Sequence, residues 1–118
     1  MEFRQQRVLI HLRDGRRVPV ELNEVFLLEA VGDETNVRMR GRRTLRDLRS
    51  LREVLERFPE EVMVQIHRSY AVNVDRVTEV RRRPDERDWE LKLEPPVNRI
   101  LPISRSRLPA LWAAYGES

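Results

Sequence analysis

The chain has 118 residues, no cysteine, and 23 basic against 20 acidic residues, for a net charge of +3. This length suits one packed domain, so we expect residues 1–118 to form a single unit with a core at about residues 7–115. The composition excludes a disulfide scaffold and a thiolate metal site and favours a reducing cytoplasm, and no apolar run reaches the roughly 18 residues that span a bilayer.

Arginine occupies every basic position except Lys92. A genome rich in G and C is a sufficient explanation, because it favours arginine codons. Arginine also has the planar fork that binds guanine and phosphate through paired hydrogen bonds. Eight arginines fall between positions 38 and 57, and Arg81-Arg82-Arg83 form a second cluster. Such runs are often solvated faces, so the composition permits DNA binding without requiring it.

The first forty positions have the polar and apolar alternation of β-strands. The predicted strands are residues 8–12, 18–20, 25–30 and 35–40. Asp14-Gly15 is typical of a tight hairpin turn, and Pro19, which has no N–H to donate, predicts an edge strand. The nearly continuous apolar run at 25–30 indicates a central buried strand. Gly32-Asp33-Glu34 turns the chain between the last two strands.

One amphipathic helix is predicted next. Thr44 can cap its start, and Asp47 three residues later completes a capping-box pattern. A stripe of leucines follows at helical spacing, formed by Leu45, Leu48, Leu51 and Leu55. This stripe predicts a helix that packs on the sheet and ends before Pro59.

The second half of the sequence again favours strands. They are predicted at residues 62–66, 77–80, 89–93 and 99–103. Pro84-Asp85-Glu86 and Pro95-Pro96 mark turns between them. Ser104 can start a short terminal helix whose apolar face contains Leu108, Leu111, Trp112 and Tyr115. The expected fold is mostly β, with one or two short helices.

A first polar block, His67-Arg68-Ser69, stands where a strand pattern ends. Arg68 with Ser69 offers the charge, fork and hydroxyl donor that phosphate recognition requires. His67 is either a contact residue or a structural residue that bonds a backbone carbonyl, and the structural reading is favoured. Asn73 either locks a turn through its amide or reads a base, and the turn is favoured.

A second block, Ser104-Arg105-Ser106-Arg107, follows the last strand at a helix start, where hydroxyls and free amides favour anionic oxygens. Arg105 is the best candidate for a base contact, because a bidentate arginine to guanine is the commonest specific pairing in the major groove. The alternative for Arg105 is a surface ion pair with Glu94 or Glu90.

Together the two blocks resemble the signature segments of the LytTR (LytR/AlgR-type) DNA-binding domain. They read His67-Arg68-Ser69-Tyr70-Ala71-Val72-Asn73-Val74 and Leu101-Pro102-Ile103-Ser104-Arg105. The segment Leu27-Leu28-Glu29-Ala30 is similar to the apolar-Glu-Ala strand end of that family. The likeness covers roughly residues 7–115.

The resemblance implies a LytTR-like arrangement of small antiparallel sheets whose loops, rather than a helix, enter successive major grooves. It implies sequence-specific binding of double-stranded DNA at direct-repeat promoter elements, and thus control of transcription. The implied DNA-binding residues are Thr35, Asn36, His67, Arg68, Ser69, Ser104, Arg105 and Arg107. No cofactor, metal or small-molecule substrate is implied. Family members often carry a phosphoacceptor domain or a membrane segment, neither of which we expect here, so a separate sensor or regulator protein is a possible partner.

Two other classes of function compete with this reading. Asp33 and Glu34 would repel phosphates near the first implied loop, which motivates a protein-interaction or sensory module that has lost DNA affinity. Catalysis is not expected, because the sequence has only two histidines, no thiol and no phosphate-binding glycine loop. RNA binding lacks the usual pattern of stacking aromatics.

Overall fold

The structure, a computed structural model, describes residues 7–41, 43–84 and 87–117. The strands in these residues are β1 (Arg7–His11), β2 (Arg17–Glu21), β3 (Val25–Val31), β4 (Glu34–Met39), β5 (Thr44–Asp47), β6 (Met63–His67), β7 (Tyr70–Asn73), β8 (Val77–Arg82), β9 (Trp89–Leu93) and β10 (Ile100–Ile103). The helices are α1 (Leu51–Leu55) and α2 (Leu108–Ala114).

The strands form three antiparallel sheets. Strands β1 and β2 make a hairpin, the central sheet has the order β5-β4-β3-β7-β6, and the third sheet has the order β10-β9-β8. The nearly continuous apolar run became β3, in the middle of the central sheet, as predicted. Pro19 lies on β2, which among the described strands pairs only with β1, and this confirms the predicted edge strand.

Strand β3 divides the hydrophobic core in two. Val25 and Leu28 pack with the β1–β2 hairpin and α1, whereas Phe26 and Leu27 pack with the third sheet and α2. All four side chains have no exposed surface. A strand with both faces buried needs apolar residues at successive positions, which explains the lack of alternation. Truncation of a fully buried phenylalanine typically costs about 3–5 kcal/mol of stability.

The predicted helix start at Thr44 is wrong. Thr44 begins β5 and pairs with Arg38 of β4, and the helix starts only after Ser50. Ser50 and Glu53 form the capping box that the sequence also offered at Thr44 and Asp47. Leu48, expected in the buried stripe, lies in the connection before α1 and is 45% exposed. Pairing with β4 therefore overrides the local helical pattern.

The predicted elements of the second half are present with small shifts at their ends. The turn at Pro95-Pro96 has a cis peptide bond and is followed by Asn98 at φ 53°. The terminal helix is α2, and the hydroxyl of Tyr115 just beyond it donates a 2.7 Å hydrogen bond to the carbonyl of Val74. Burial and the nearby Asp75 raise the pKa of Tyr115 to about 12. Of the predicted Pro84-Asp85-Glu86 turn, the last two residues lie outside the described residues.

Across the described ranges, no helix combines the length and the apolar character that a membrane crossing requires.

Candidate nucleic-acid interface

The first block forms the tip of a hairpin. Strands β6 and β7 are joined by Arg68-Ser69, and the flanking pair is His67 opposite Tyr70. The backbone N–H of Ser69 donates a 3.1 Å hydrogen bond to Nδ1 of His67, and the rings of His67 and Tyr70 lie 5.3 Å apart. His67 thus has a structural role at the turn, although its partner is a backbone N–H and not the carbonyl that was expected. Arg68 is exposed and has no side-chain partner within the described residues.

A β-bulge joins this hairpin to the second block. The register of β6 against β7 shifts between Gln65 and His67, so Ile66 has no partner on β7. Its carbonyl accepts a 2.8 Å hydrogen bond from the backbone N–H of Ser104 instead. Bulges redirect backbone and side chains at functional edges of sheets. Two segments that are almost forty positions apart in the sequence therefore meet at one edge of the molecule.

The second block presents polar groups from a short 3₁₀ helix, Arg105–Arg107, that leads into α2. Arg105 is exposed, and among the described residues its side chain pairs with Asp88 at 3.7 Å. The alternative partners proposed for Arg105 are engaged elsewhere, Glu90 with Arg81 and Glu94 with Arg76. An exposed ion pair contributes only about 0–1 kcal/mol, so a phosphate or a base can replace Asp88 at little cost.

The remaining predicted residues of these blocks differ in accessibility. The hydroxyls of Ser69 and Ser104 are partly exposed and donate to no group in the part of the chain that the structure describes. Arg107 is half-buried and lines a groove with Val64 and Gln65 of β6. Ser69, Ser104, Arg68 and Arg105 are therefore the polar groups of the two blocks that face outward without strong partners.

The predicted first loop is organised differently. Thr35 has no exposed surface, and its hydroxyl donates a 2.9 Å hydrogen bond to the carbonyl of Arg49. Asn36 accepts a 2.6 Å hydrogen bond from Nε of Arg46. In this conformation Thr35 cannot reach an outside partner, because it is fully buried and its hydroxyl is already bonded to the backbone. Asn36 is accessible but already engaged.

The two acidic side chains beside this loop differ in whether arginines pair with them. Glu34 is bound by Arg13 and by Arg46, the latter at 3.3 Å, while Asp33 is exposed. The hydrogen bond from Arg13 is the main cause that lowers the pKa of Glu34. Sequence reasoning missed Arg13 and Arg46 as neutralising partners, because both contacts join distant positions of the chain. Only Asp33 therefore presents an unshielded charge near the loop.

Asn73 is a structural residue, as the favoured reading predicted. It is 1% exposed, accepts from the N–H of Asp75 and donates to the carbonyls of Leu22 and Val25. It therefore ties the second half of the chain to the start of β3, where a base could not reach it.

Arg99 was not singled out by the sequence. It lies 3.6 Å from Glu29 and 6.0 Å above the ring of Tyr70, beside the hairpin that carries Arg68. It lies beside the edge formed by the two blocks, where Glu29 offsets its charge.

The second arginine cluster is largely neutralised within the protein. Arg81 and Arg83 pair with Glu90, and Arg82 stacks over Trp89 at 5.4 Å. The basic character of the accessible surface thus comes from other arginines than this cluster.

Among the described residues, no three His, Asp or Glu side chains are grouped to hold a metal ion.

Comparison with known proteins decides the family. Residues 4–116 match the family model of the LytTr DNA-binding domain. The chain belongs to the LytTR family. A solved structure similar to it is the LytTr DNA-binding domain of a putative methyl-accepting/DNA response regulator from Bacillus cereus, at 26% identity and a TM-score of 0.74. The match covers 95% of this chain and 98% of that one. No curated protein matches the sequence.

LytTR domains are a family of DNA-binding domains and not a family of enzymes. This protein is therefore a DNA-binding regulatory domain built from small antiparallel sheets. The resemblance drawn from the His67 and Ser104 blocks is confirmed at the level of family and fold.

Proposed function

We propose that this LytTR domain binds double-stranded DNA in a sequence-specific manner and controls transcription from direct-repeat promoter sites. Arg68 and Ser69 hold phosphates at the hairpin tip, and Arg105 reads a guanine in the major groove with Ser104 beside it. His67 sets the shape of the hairpin tip. The observation that supports this arrangement best is the hydrogen bond between Ser104 and Ile66, because it joins both blocks into one rigid edge.

The other candidates have supporting roles in this proposal. Arg107 lies at the border of the contact region, and Asn36 contacts DNA only if it releases Arg46. Thr35 is proposed to position the first loop from inside the sheet rather than to touch DNA. The alternative, an interaction module without DNA affinity, was motivated by repulsion from Asp33 and Glu34. The pairing of Glu34 with Arg13 and Arg46 weakens this argument, because it offsets one of the two negative charges.

Selection of random duplexes on the purified protein tests the proposal. We expect an enriched motif that occurs twice in the same orientation, and affinity for it that falls steeply with salt. A scrambled duplex of equal length is the matched control. Recovery of no motif, with weak binding even at low salt, would contradict sequence-specific recognition and favour the interaction module.

Arg105→Ala tests the base contact. We expect a loss of about 1–3 kcal/mol on the selected duplex and relaxed preference at one position, because a bidentate guanine contact is removed. Arg43→Ala removes an equal charge from an exposed position outside the proposed contacts and serves as the control. Equal losses for Arg105→Ala on selected and scrambled duplexes would show that Arg105 contacts only the backbone.

A further inference from the structure

A basic cavity lies between the β1–β2 hairpin and the residues that follow α1. Its volume is about 520 Å³, within the range of roughly 300–1,000 Å³ that is common for small-ligand sites. The charged and titratable residues that line it are Arg7, His11, Arg17, Arg49, Glu56 and Arg57. None of these residues belongs to the proposed DNA contacts.

Four arginines from separate parts of the chain line this cavity. Arg49 is fixed, because it bonds the buried carboxylate of Asp47 and the carbonyl of Leu9 at 3.0 Å. Arg17 of β2 and Arg57 beyond α1 are exposed, and neither has a side-chain partner in the described ranges. Arg7, the fourth, pairs with Glu21. The cavity thus combines one anchored cation with two cations that are free to close on a ligand.

His11 reports the positive potential of the cavity. It lies opposite Arg17 in the hairpin and is half-buried. Burial lowers its pKa most, and Arg49, Arg17 and Arg57 lower it further, whereas Asp47 acts in the opposite direction. The carboxylate of Glu56 is mostly exposed and lies near Arg52. A bound anion would therefore relieve repulsion among the arginines that surround His11.

We propose that this cavity binds an anion that carries several adjacent phosphate groups. Arginine forks bind phosphate oxygens in pairs, and separate cations on opposite sides of a concavity favour a run of phosphates over a single one. The same chemistry is presented by a free oligophosphate, such as the polyphosphate tail of a nucleotide, and by the backbone of DNA. The experiment distinguishes these two sources.

Inorganic triphosphate is titrated into the isotope-labelled protein without DNA, and the ring signals of His11 are followed by NMR across pH. We expect saturable shifts and a higher pKa of His11 in the bound state, because the anion offsets the charge of Arg17, Arg49 and Arg57. The double variant R17Q/R57Q should bind triphosphate at least about tenfold more weakly, since two charge-assisted hydrogen bonds are lost. R43Q, which changes an exposed arginine outside the cavity, should bind as the unchanged protein does.

A scrambled DNA duplex is then tested on the same protein and variants. If triphosphate shifts His11 and the duplex does not, the ligand is a free oligophosphate. If the duplex shifts His11 too and R17Q/R57Q flattens its salt dependence, the cavity holds backbone phosphates. An unchanged His11 with both ligands, or equal weakening by R43Q, would overturn the proposal. Thermal unfolding of R17Q/R57Q checks its folding, and the exposure of both arginines predicts little change.

Discussion

Two hairpin turns lie side by side at one end of the central sheet, and the polar residues near them differ in exposure. The Gly32-Asp33 turn joins β3 to β4, the Arg68-Ser69 turn joins β6 to β7, and the N–H of Ala30 bonds the carbonyl of Ser69 between them. Near the first turn, Thr35 bonds the backbone inside the protein. At the second turn, Arg68 stays exposed. The polar residue near one turn thus anchors the structure, whereas the other turn exposes an arginine that we propose as a phosphate contact.

The two turns differ because a segment distant in the sequence binds the polar side chain of Thr35 near the first turn, whereas Arg68 at the second turn is exposed. Strand β5 pairs with β4 and places Asp47 opposite Thr35, with Arg49 two residues after Asp47. Strand β6 is the last strand of the central sheet, and Arg68 at its turn has no side-chain partner within the described residues. Four variants test this comparison, in order of decreasing effect on stability.

Asp47→Ala should have the largest effect. The carboxylate is fully buried and accepts hydrogen bonds from the N–H groups of His11 and Arg49 and from the Arg49 guanidinium. Its removal leaves a mostly buried cation unpaired, which costs about 3–5 kcal/mol. Urea unfolding measures the loss. Glu79→Ala, which breaks an exposed pair with Arg81, is the control and should cost at most about 1 kcal/mol. Equal losses of stability for Asp47→Ala and Glu79→Ala would show that the bonds of Asp47 do not hold this region together.

Acid should remove the contribution of Asp47 selectively. Burial alone would raise its pKa, but the hydrogen bonds from Arg49 and from the N–H of His11 outweigh burial and hold the pKa below the ordinary 3.8. Its stabilisation is therefore complete above pH 3.8 and is lost as the pH falls through the lowered value of the folded state. We expect the stability difference between the unchanged protein and Asp47→Asn to be constant near neutrality and to shrink below that pH. A difference that grows on acidification would contradict the assignment.

Thr35→Val should cost about 1–3 kcal/mol of stability, because the partly buried carbonyl of Arg49 loses its donor while the side-chain shape is kept. Thr78→Val removes a similar bond, to the carbonyl of Lys92, at an exposed position and should cost less. Under conditions where the variant remains folded, its affinity for DNA should be unchanged. A loss of affinity without a loss of stability would make Thr35 a contact residue after all.

Arg68→Ala should change stability by less than about 0.5 kcal/mol, because the side chain is exposed and unpartnered. Its effect belongs to DNA binding. If Arg68 holds one phosphate, the slope of log affinity against log salt should become shallower by about 0.9, to the same extent on selected and scrambled duplexes. Arg43→Ala is again the control of equal charge. An unchanged slope would remove Arg68 from the interface.

Local patterns in the sequence predicted most strands and the two polar blocks, but they failed where distant pairing decides. Thr44 with Asp47 and Ser50 with Glu53 offer the same capping signal, and only the second pair starts a helix. Thr44 and Asp47 instead belong to β5, which pairs with β4, and no local signal in the sequence reveals that pairing. The burial of Thr35 depends on the carbonyl of Arg49 and was unpredictable for the same reason. The blocks themselves were visible, whereas the bond between Ser104 and Ile66 depends on a bulge.

The bulge at Ile66 also has a consequence for how the sequence of this domain can diverge. Side chains alternate between the two faces of a strand, so one inserted or deleted residue moves every later side chain to the opposite face. Loss of the extra residue in β6 would turn His67 away from its present side and leave Ser104 without its acceptor. If Arg105 reads a base as proposed, substitutions there would alter the preferred operator at one position. Changes in the length of β6 would instead disrupt the whole edge, so we expect length to be the slower of the two to evolve.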